Sequence, residues 1–289
     1  KSGDLYGGER DLRWHRPLTD EERELPWVHA LDVNAQYLAA CSSLHLGFGE
    51  PVHRQGSIPF DANKPGYWLA KVGAWPDPLL PPPHGTHPFK APTDARWMTT
   101  PALDLVAELG IDIEITEAWT FDERHRWLTP WYERLRDARK HLMADTAGHP
   151  RKTCPCPPCI ALRAVKLTYS HAIGRLDNTR WEPGMPMFRP DWRHAIIAQA
   201  RSNMYRSLLE RPNMRTRVRP FVVNVDMILV AAEEEDPREA ARRLGLTLSD
   251  QPGKYKPKGT KPLAEVAKLI DRNAGERALC GFVTGGEAE

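Results

Sequence analysis

Two aspartates stand where apolar runs end, and both positions suit metal or phosphate chemistry. Asp32 closes the run Pro26-Trp27-Val28-His29-Ala30-Leu31, which alternates and fills like a buried strand, while Ala35, Leu38 and Ala39 recur at helical spacing after Asn34. A carboxylate at such a strand-to-helix junction is either a helix N-cap or a ligand. Asp226 lies in an Asn224-Val225-Asp226 centre between two short apolar runs, 220–223 and 227–230, that read as a tight β-hairpin, where it is a turn former or, again, a ligand. The other charged features are cationic. On the helix expected over 160–176, Leu162, Val165, Tyr169, Ala172 and Leu176 form one stripe at 100° per residue, and Arg163, Lys166, Ser170 and Gly174 form a second, small and basic. Such a face is either solvated or laid along a triphosphate. Lys254, Lys256, Lys258 and Lys261 follow around Tyr255 and Gly259 with no acid among them, as a solvated loop or a track for a phosphate backbone.

A third group is soft. Cys154, Cys156 and Cys159 fall within six residues, with His149 the nearest candidate for a fourth ligand, a set that tetrahedral Zn2+ accepts. The alternative is three free thiols in a reduced loop, since the usual second cysteine pair is missing. Five cysteines so placed do not make a secreted disulfide framework, and a reducing cytoplasm is expected.

The elements that must position these groups follow from periodicity and punctuation. Residues 1–25 are charged and irregular and read as a lead-in loop, and 47–65 as a connection; 67–72 alternates as a strand, and the prolines of 75–93 exclude helix or central strand. Thr99-Thr100-Pro101 caps a helix that Gly110 stops, and 111–119 alternates with period two. Strand and helix in this order suit a mixed or antiparallel α/β sheet with helices on one face. Two helices, 127–142 with Arg134, Arg136, Arg139 and Lys140, then 160–176, are joined by a short Pro/Cys loop and read as an antiparallel hairpin inserted into the sheet domain. Further helices are expected over 190–210, 236–244 and 262–271.

With 289 residues, 41% hydrophobic and 27% charged, the chain has the composition of a soluble globular fold. No apolar run is long enough to cross a bilayer and no signal peptide is recognisable. The opening on Lys1 in polar sequence suggests a domain cut from a longer protein. A formal charge of +2 is too small to argue for nucleic acid; the uneven placement of the basic residues carries that argument.

Taken in order, these segments resemble the B-family DNA polymerases, especially the protein-primed kind. The family's motif A, D-x-x-S-L-Y-P, is matched by Asp32-Val33-Asn34-Ala35-Gln36-Tyr37-Leu38 in its aspartate and tyrosine. Motif B, K-x-x-x-N-S-x-Y-G, is matched by Lys166 and Gly174, with Ser170 and Ile173 replacing the asparagine and tyrosine. Motif C, D-T-D-S, survives as Asn224-Val225-Asp226-Met227, keeping its second aspartate, and Lys254-Tyr255-Lys256 sits where a lysine-tyrosine motif would follow. Within that family the chain looks most like the polymerase-like region of telomere-associated proteins of linear bacterial replicons. No proofreading segment precedes motif A.

The resemblance implies a palm over 1–125 and 180–289, the latter running into a thumb-like basic segment, with fingers over 126–179. It further implies a template-directed nucleotidyltransferase in replication or end-patching of linear DNA. Two Mg2+ or Mn2+ ions would sit on Asp32, Asp226 and the Val33 carbonyl; Tyr37 would lie under the deoxyribose, Arg163, Lys166, Ser170 and Gly174 along the triphosphate, and Lys254, Tyr255, Lys256, Lys258 and Lys261 along DNA. DNA, deoxynucleoside triphosphates and a priming terminal protein are the implied partners, with no membrane, in the bacterial cytoplasm at the nucleoid. The losses in motifs B and C support a rival of another class: a degenerate polymerase fold that binds telomeric DNA and recruits a terminal protein. Paired aspartates also suit a metal-assisted nuclease, which has no need of the basic helix.

Overall fold

The computed structural model describes residues 9–85, 94–178, 185–210 and 215–286. In chain order its elements are β1 (Arg13–His15), α1 (Asp20–Arg23), β2 (Trp27–Val33), α2 (Gln36–Ala40), β3 (Leu46–Phe48), β4 (Val52–Gln55), β5 (Gly66–Val72), β6 (Arg96–Thr99), α3 (Thr100–Glu108), β7 (Ile113–Thr120) and β8 (Glu123–His125). There follow α4 (Thr129–Asp145), α5 (Pro157–Arg175), α6 (Pro190–Ser207), β9 (Leu209–Glu210), β10 (Arg215–Thr216), β11 (Val222–Asn224), β12 (Met227–Ala232), α7 (Pro237–Arg243), β13 (Tyr255–Pro262), α8 (Leu263–Asp271) and α9 (Glu276–Val283).

The fold is α/β with antiparallel sheets, as expected. The apolar run ending at Asp32 becomes β2, buried along almost its whole length inside a five-stranded sheet of order β1-β11-β12-β2-β13. Period-two alternation sorts its side chains between two cores. Leu31 and Val33 join Ile228, Val230 and the inner face of α6 on one side; Val28 and Ala30 join Leu229, Leu263, Val266 and Leu279 on the other. Helices therefore cover both faces of this sheet rather than one, because α8 and α9 close the side left open by α6 and α7. Nor is there a single sheet: 67–72 and 113–120 belong to a separate four-stranded sheet, β4-β7-β5-β6, packed on α3 and α6.

The lead-in is more ordered than its composition suggests. Thr19 and Glu22 make a reciprocal capping box on α1, and β1 pairs with β11. Within 47–65, expected as a connection, β4 pairs with β7, while β3 just overlaps it and pairs with β8. Thr99 stands at the α3 N-cap, but its hydroxyl goes to Glu9 instead of the helix. The expected helical hairpin is present as α4 and α5, of 17 and 19 residues, whose connecting loop carries the cysteines. Residues 86–93 of the proline-rich stretch and the 179/180 boundary lie outside the described residues. Among the described residues no helix is long and apolar enough to cross a membrane.

Candidate functional site: a paired-carboxylate centre beneath the helical hairpin

Asp32 is the penultimate residue of β2, not a helix cap: α2 begins four residues later, behind Ala35 at φ 44°. In register, Asn224 of β11, Met227 of β12, Asp32 of β2 and Lys256 of β13 form one row across the sheet. Asp226 sits in the two-residue turn between β11 and β12 at the same end. Two backbone bonds pin that turn: the Val33 N–H donates to Asp226 O (2.8 Å) and the Val225 N–H donates to Leu12 O (2.8 Å). Val225 needs such pinning, because a β-branched residue at φ 61° is strained.

The two carboxylates feel one another. Burial, then the charge of Asp32, pushes the Asp226 carboxyl up to about 6, while Lys256 and Lys258 pull the other way. Asp32 is 7% exposed, and Lys256 Nζ lies 2.7 Å from its Oδ1. The contact is a charge pairing without hydrogen-bond direction, so Oδ1 keeps unmet acceptor capacity. Two hard carboxylates, Asp32 buried and Asp226 half-buried, fit Mg2+ or Mn2+, which take carboxylate oxygens and complete their shells with water and phosphate. The Asn224 side chain, two strands from Asp32, also has a buried Oδ1 with no partner.

Tyr37, on α2, points its hydroxyl at Asp11. Burial, then Asp11 and Asp226, raises its ionisation far above the ordinary value. Asp11 is held there by its neighbours: buried Glu9 binds Arg201 (2.7 Å) and the Thr99 N–H (2.9 Å), and Leu12 O receives Val225. Sequence reasoning left Asp11 in an irregular loop. The capping box at Thr19 was the available sign that this segment folds.

The helical hairpin adds cations. Lys166 is exposed on α5, and partial burial, then Arg139, Lys256, Arg151 and Lys258, holds its ammonium below the ordinary lysine range. Arg139, one of the basic residues of the first hairpin helix, is 5% exposed and reaches Asp250 O and, at 3.4 Å, Asn34 Oδ1, tying α4 to the residue after β2. Tyr169, expected only as apolar stripe, is raised by burial and lies within the fields of Arg139 and Asp32. Ser170 donates back to Lys166 O (3.0 Å), and Gly174 faces open space. Arg163 is committed elsewhere: its guanidinium donates to Arg151 O (2.8 Å) and Cys154 O (2.9 Å).

The lysine run is a strand, not a loop. β13 pairs with β2 through a bulge at Pro257–Gly259, where a Cβ on Gly259 would come within 2.2 Å of Val283 O. Its residues divide. Tyr255 is buried, with its hydroxyl on Ser207 (2.7 Å), so its ring is core and not a DNA contact. Lys256 and Lys258 face the carboxylates and Lys254 is exposed. Lys261 pairs with Val28 at the far end, over the Phe282 ring, about 16 Å along the strand from Lys256 at ordinary strand rise. An open groove of about 690 Å³ lies beside Lys256, with Arg238 and Arg242 on its wall.

At the hairpin tip the soft group converges. His149 Nδ1 is 3.7, 3.4 and 3.7 Å from the sulfurs of Cys154, Cys156 and Cys159, and all four ligand atoms lie within 4.8 Å of one another. Cys156 stands at the α5 N-cap and Cys159 in its first turn, where the helix dipole favours thiolate. Contact with Cys154 draws Cys156 down, and burial pushes Cys159 up to about 12.

No protein-family model and no curated protein matches this sequence. Its fold does match solved structures. Phi29 DNA polymerase in a ternary complex with primer-template DNA and incoming nucleotide substrates superposes with a TM-score of 0.57 at 14% identity, over 89% of this chain and 47% of that one. The same polymerase in a post-translocation binary complex gives 0.54 at 14% identity, over 88% and 46%; its complex with single-stranded DNA gives 0.52 at 13%, over 88% and 46%. The chain spans about half the length of these polymerases, and at such identity the likeness is one of fold: a distant, polymerase-like fold.

Proposed function

We propose that this chain is the palm and fingers of a template-directed DNA nucleotidyltransferase, with the palm at 1–125 and 180–289 and the fingers at 126–179. The observation that carries the reading is the pairing of Asp32 and Asp226 at one end of one sheet, beneath a cationic helix. Asp32, Asp226 and the Val33 carbonyl would hold Mg2+ or Mn2+, which activates an attacking 3′-hydroxyl and neutralises the leaving pyrophosphate. Lys166, Ser170 and Gly174 offer a cationic, sterically open face for the triphosphate. Tyr37, steadied by Asp11, excludes a 2′-hydroxyl by its bulk. Lys256 and Lys258 meet the primer backbone near the carboxylates, with Lys254 and the Arg238–Arg242 groove beyond. Arg163 instead braces the Cys loop, and His149, Cys154, Cys156 and Cys159 hold a structural Zn2+ that stiffens a tip without a core. The biological setting we infer is replication or end-patching of linear DNA at a bacterial nucleoid, as in telomere-associated proteins, with a terminal protein as priming partner.

A second reading is favoured by Asn224 and by Lys256 occupying the Asp32 carboxylate: a degenerate polymerase fold that binds telomeric DNA and recruits a terminal protein. Primer extension separates the two. Metal-dependent incorporation by the unmodified chain supports the enzyme; DNA binding with no incorporation in Mg2+ or Mn2+ supports the binding module.

A further inference from the structure

The ribbon of β3 and β8 carries an aromatic surface that the nucleotidyltransferase reading leaves unused. Phe48 is 51% exposed and Trp127, just before α4, is 42% exposed, although both are large apolar side chains that burial would favour. They lie against each other, ring centroids 5.4 Å apart and tilted by 45°, and His125 stands edge-on to Trp127 at 4.9 Å. Arg124 and Arg126 alternate with His125 and Trp127 along the chain, and among the described residues neither has an ion-pair partner. Their charges converge, for burial and then Arg126 and Arg124 hold His45 below its ordinary value. Glu123 opposes Phe48 in register, while nearby Asp122 is neutralised by Lys64 at 3.0 Å.

We propose that Phe48, His125 and Trp127, with Arg124 and Arg126, form a stacking platform for single-stranded DNA. Exposed ring faces beside unpaired cations are what successive bases and their phosphates require, and stacking on them is indifferent to sequence. The platform is joined to the carboxylate site: the Thr129 hydroxyl at the start of α4 donates to Ser42 O (3.0 Å), five residues beyond Tyr37. An unpaired strand leaving the site past α2 would meet it. The choice of DNA over RNA rests on the DNA reading given above; the stacking chemistry does not.

The test is anisotropy of a labelled oligothymidylate of about twelve nucleotides, within the usual site size. Affinity should fall about thirtyfold or more in Phe48→Ala/Trp127→Ala, since two stacks are lost together, with the salt dependence unchanged. Arg124→Gln/Arg126→Gln should instead flatten the salt dependence. Phe48→Leu and Trp127→Leu, which stay apolar but lose the ring face, should show a loss in the same direction and guard against misfolding. Asp32→Asn should bind the oligomer as the unmodified chain does, so failure of catalysis leaves this test standing. Unchanged affinity in both aromatic variants, or no binding by the unmodified chain, overturns the platform; tighter binding of oligouridylate overturns its assignment to DNA.

Discussion

Lys256 and Asp32 face each other across the β13–β2 ladder, and the lysine Nζ lies 2.7 Å from Asp32 Oδ1. A divalent cation arriving at Asp32 must displace that ammonium or share the carboxylate with it. Removing the competitor should therefore strengthen metal binding. With the pair worth about 1 kcal/mol at partial exposure, Lys256→Met should raise Mn2+ affinity about fivefold by calorimetry. Unchanged or weaker binding would show that Lys256 does not compete for the site.

The carboxylate pair also sets a pH window. Burial and the neighbouring Asp32 charge raise the Asp226 carboxyl from the ordinary aspartate range to about 6, so between about pH 4 and 6 the folded state holds a proton that the unfolded chain has released. Its contribution to stability is therefore greatest below about pH 4, declines as pH rises toward 6, and levels off above. Asp226→Asn should abolish this decline and raise the melting temperature of the metal-free protein at pH 7.5. Mn2+ affinity should climb between about pH 5 and 7. A melting profile with the same pH dependence in Asp226→Asn would refute the assignment.

Asp11 acts through Tyr37. Tyr37→Ala should admit ribonucleotides, and Asp11→Ala, which frees the hydroxyl without removing the ring, should do so to a smaller degree. The readout is the ratio of kcat/KM for deoxy- and ribonucleotides on one template. If Asp11→Ala matches the unmodified chain while Tyr37→Ala does not, the contact merely packs the lead-in.

How much of this was legible is decided residue by residue. Asp32 and Asp226 could be located because apolar runs of strand length frame each, and the helical hairpin because its basic and apolar stripes keep helical spacing. β13 was hidden: Lys, Pro and Gly are poor strand formers, tolerated here because the strand is a bulged strand at the end of its sheet, with β2 on one side and a single bridge from Tyr255 to Leu248 on the other. Arg139 was hidden for another reason. Helical periodicity says which residues share a face but not that Asn34 and Asp250 will come to meet one of them. The division of the strands between separate five-stranded and four-stranded sheets is likewise a matter of strand pairing, which alternation within each strand does not encode.

At the hairpin tip, the purified protein should carry about one zinc per chain, and chelation or Cys159→Ser should lower the melting temperature and loosen α5 near Cys156 in hydrogen exchange. Zinc-free protein of unaltered stability would reduce the cluster to free thiols.

The most direct measurement is single-turnover incorporation of a labelled deoxynucleotide on a primer-template by the unmodified chain, Asp32→Asn and Asp226→Asn, with and without Mg2+. Each substitution keeps side-chain shape and removes a charge from the proposed metal site. The account predicts Mg2+-dependent incorporation by the unmodified chain and a fall of at least about a thousandfold in either variant, the equivalent of roughly 4 kcal/mol of lost transition-state stabilisation, with DNA affinity little changed. Incorporation that survives both substitutions, or none by the unmodified chain in Mg2+ or Mn2+, would contradict it.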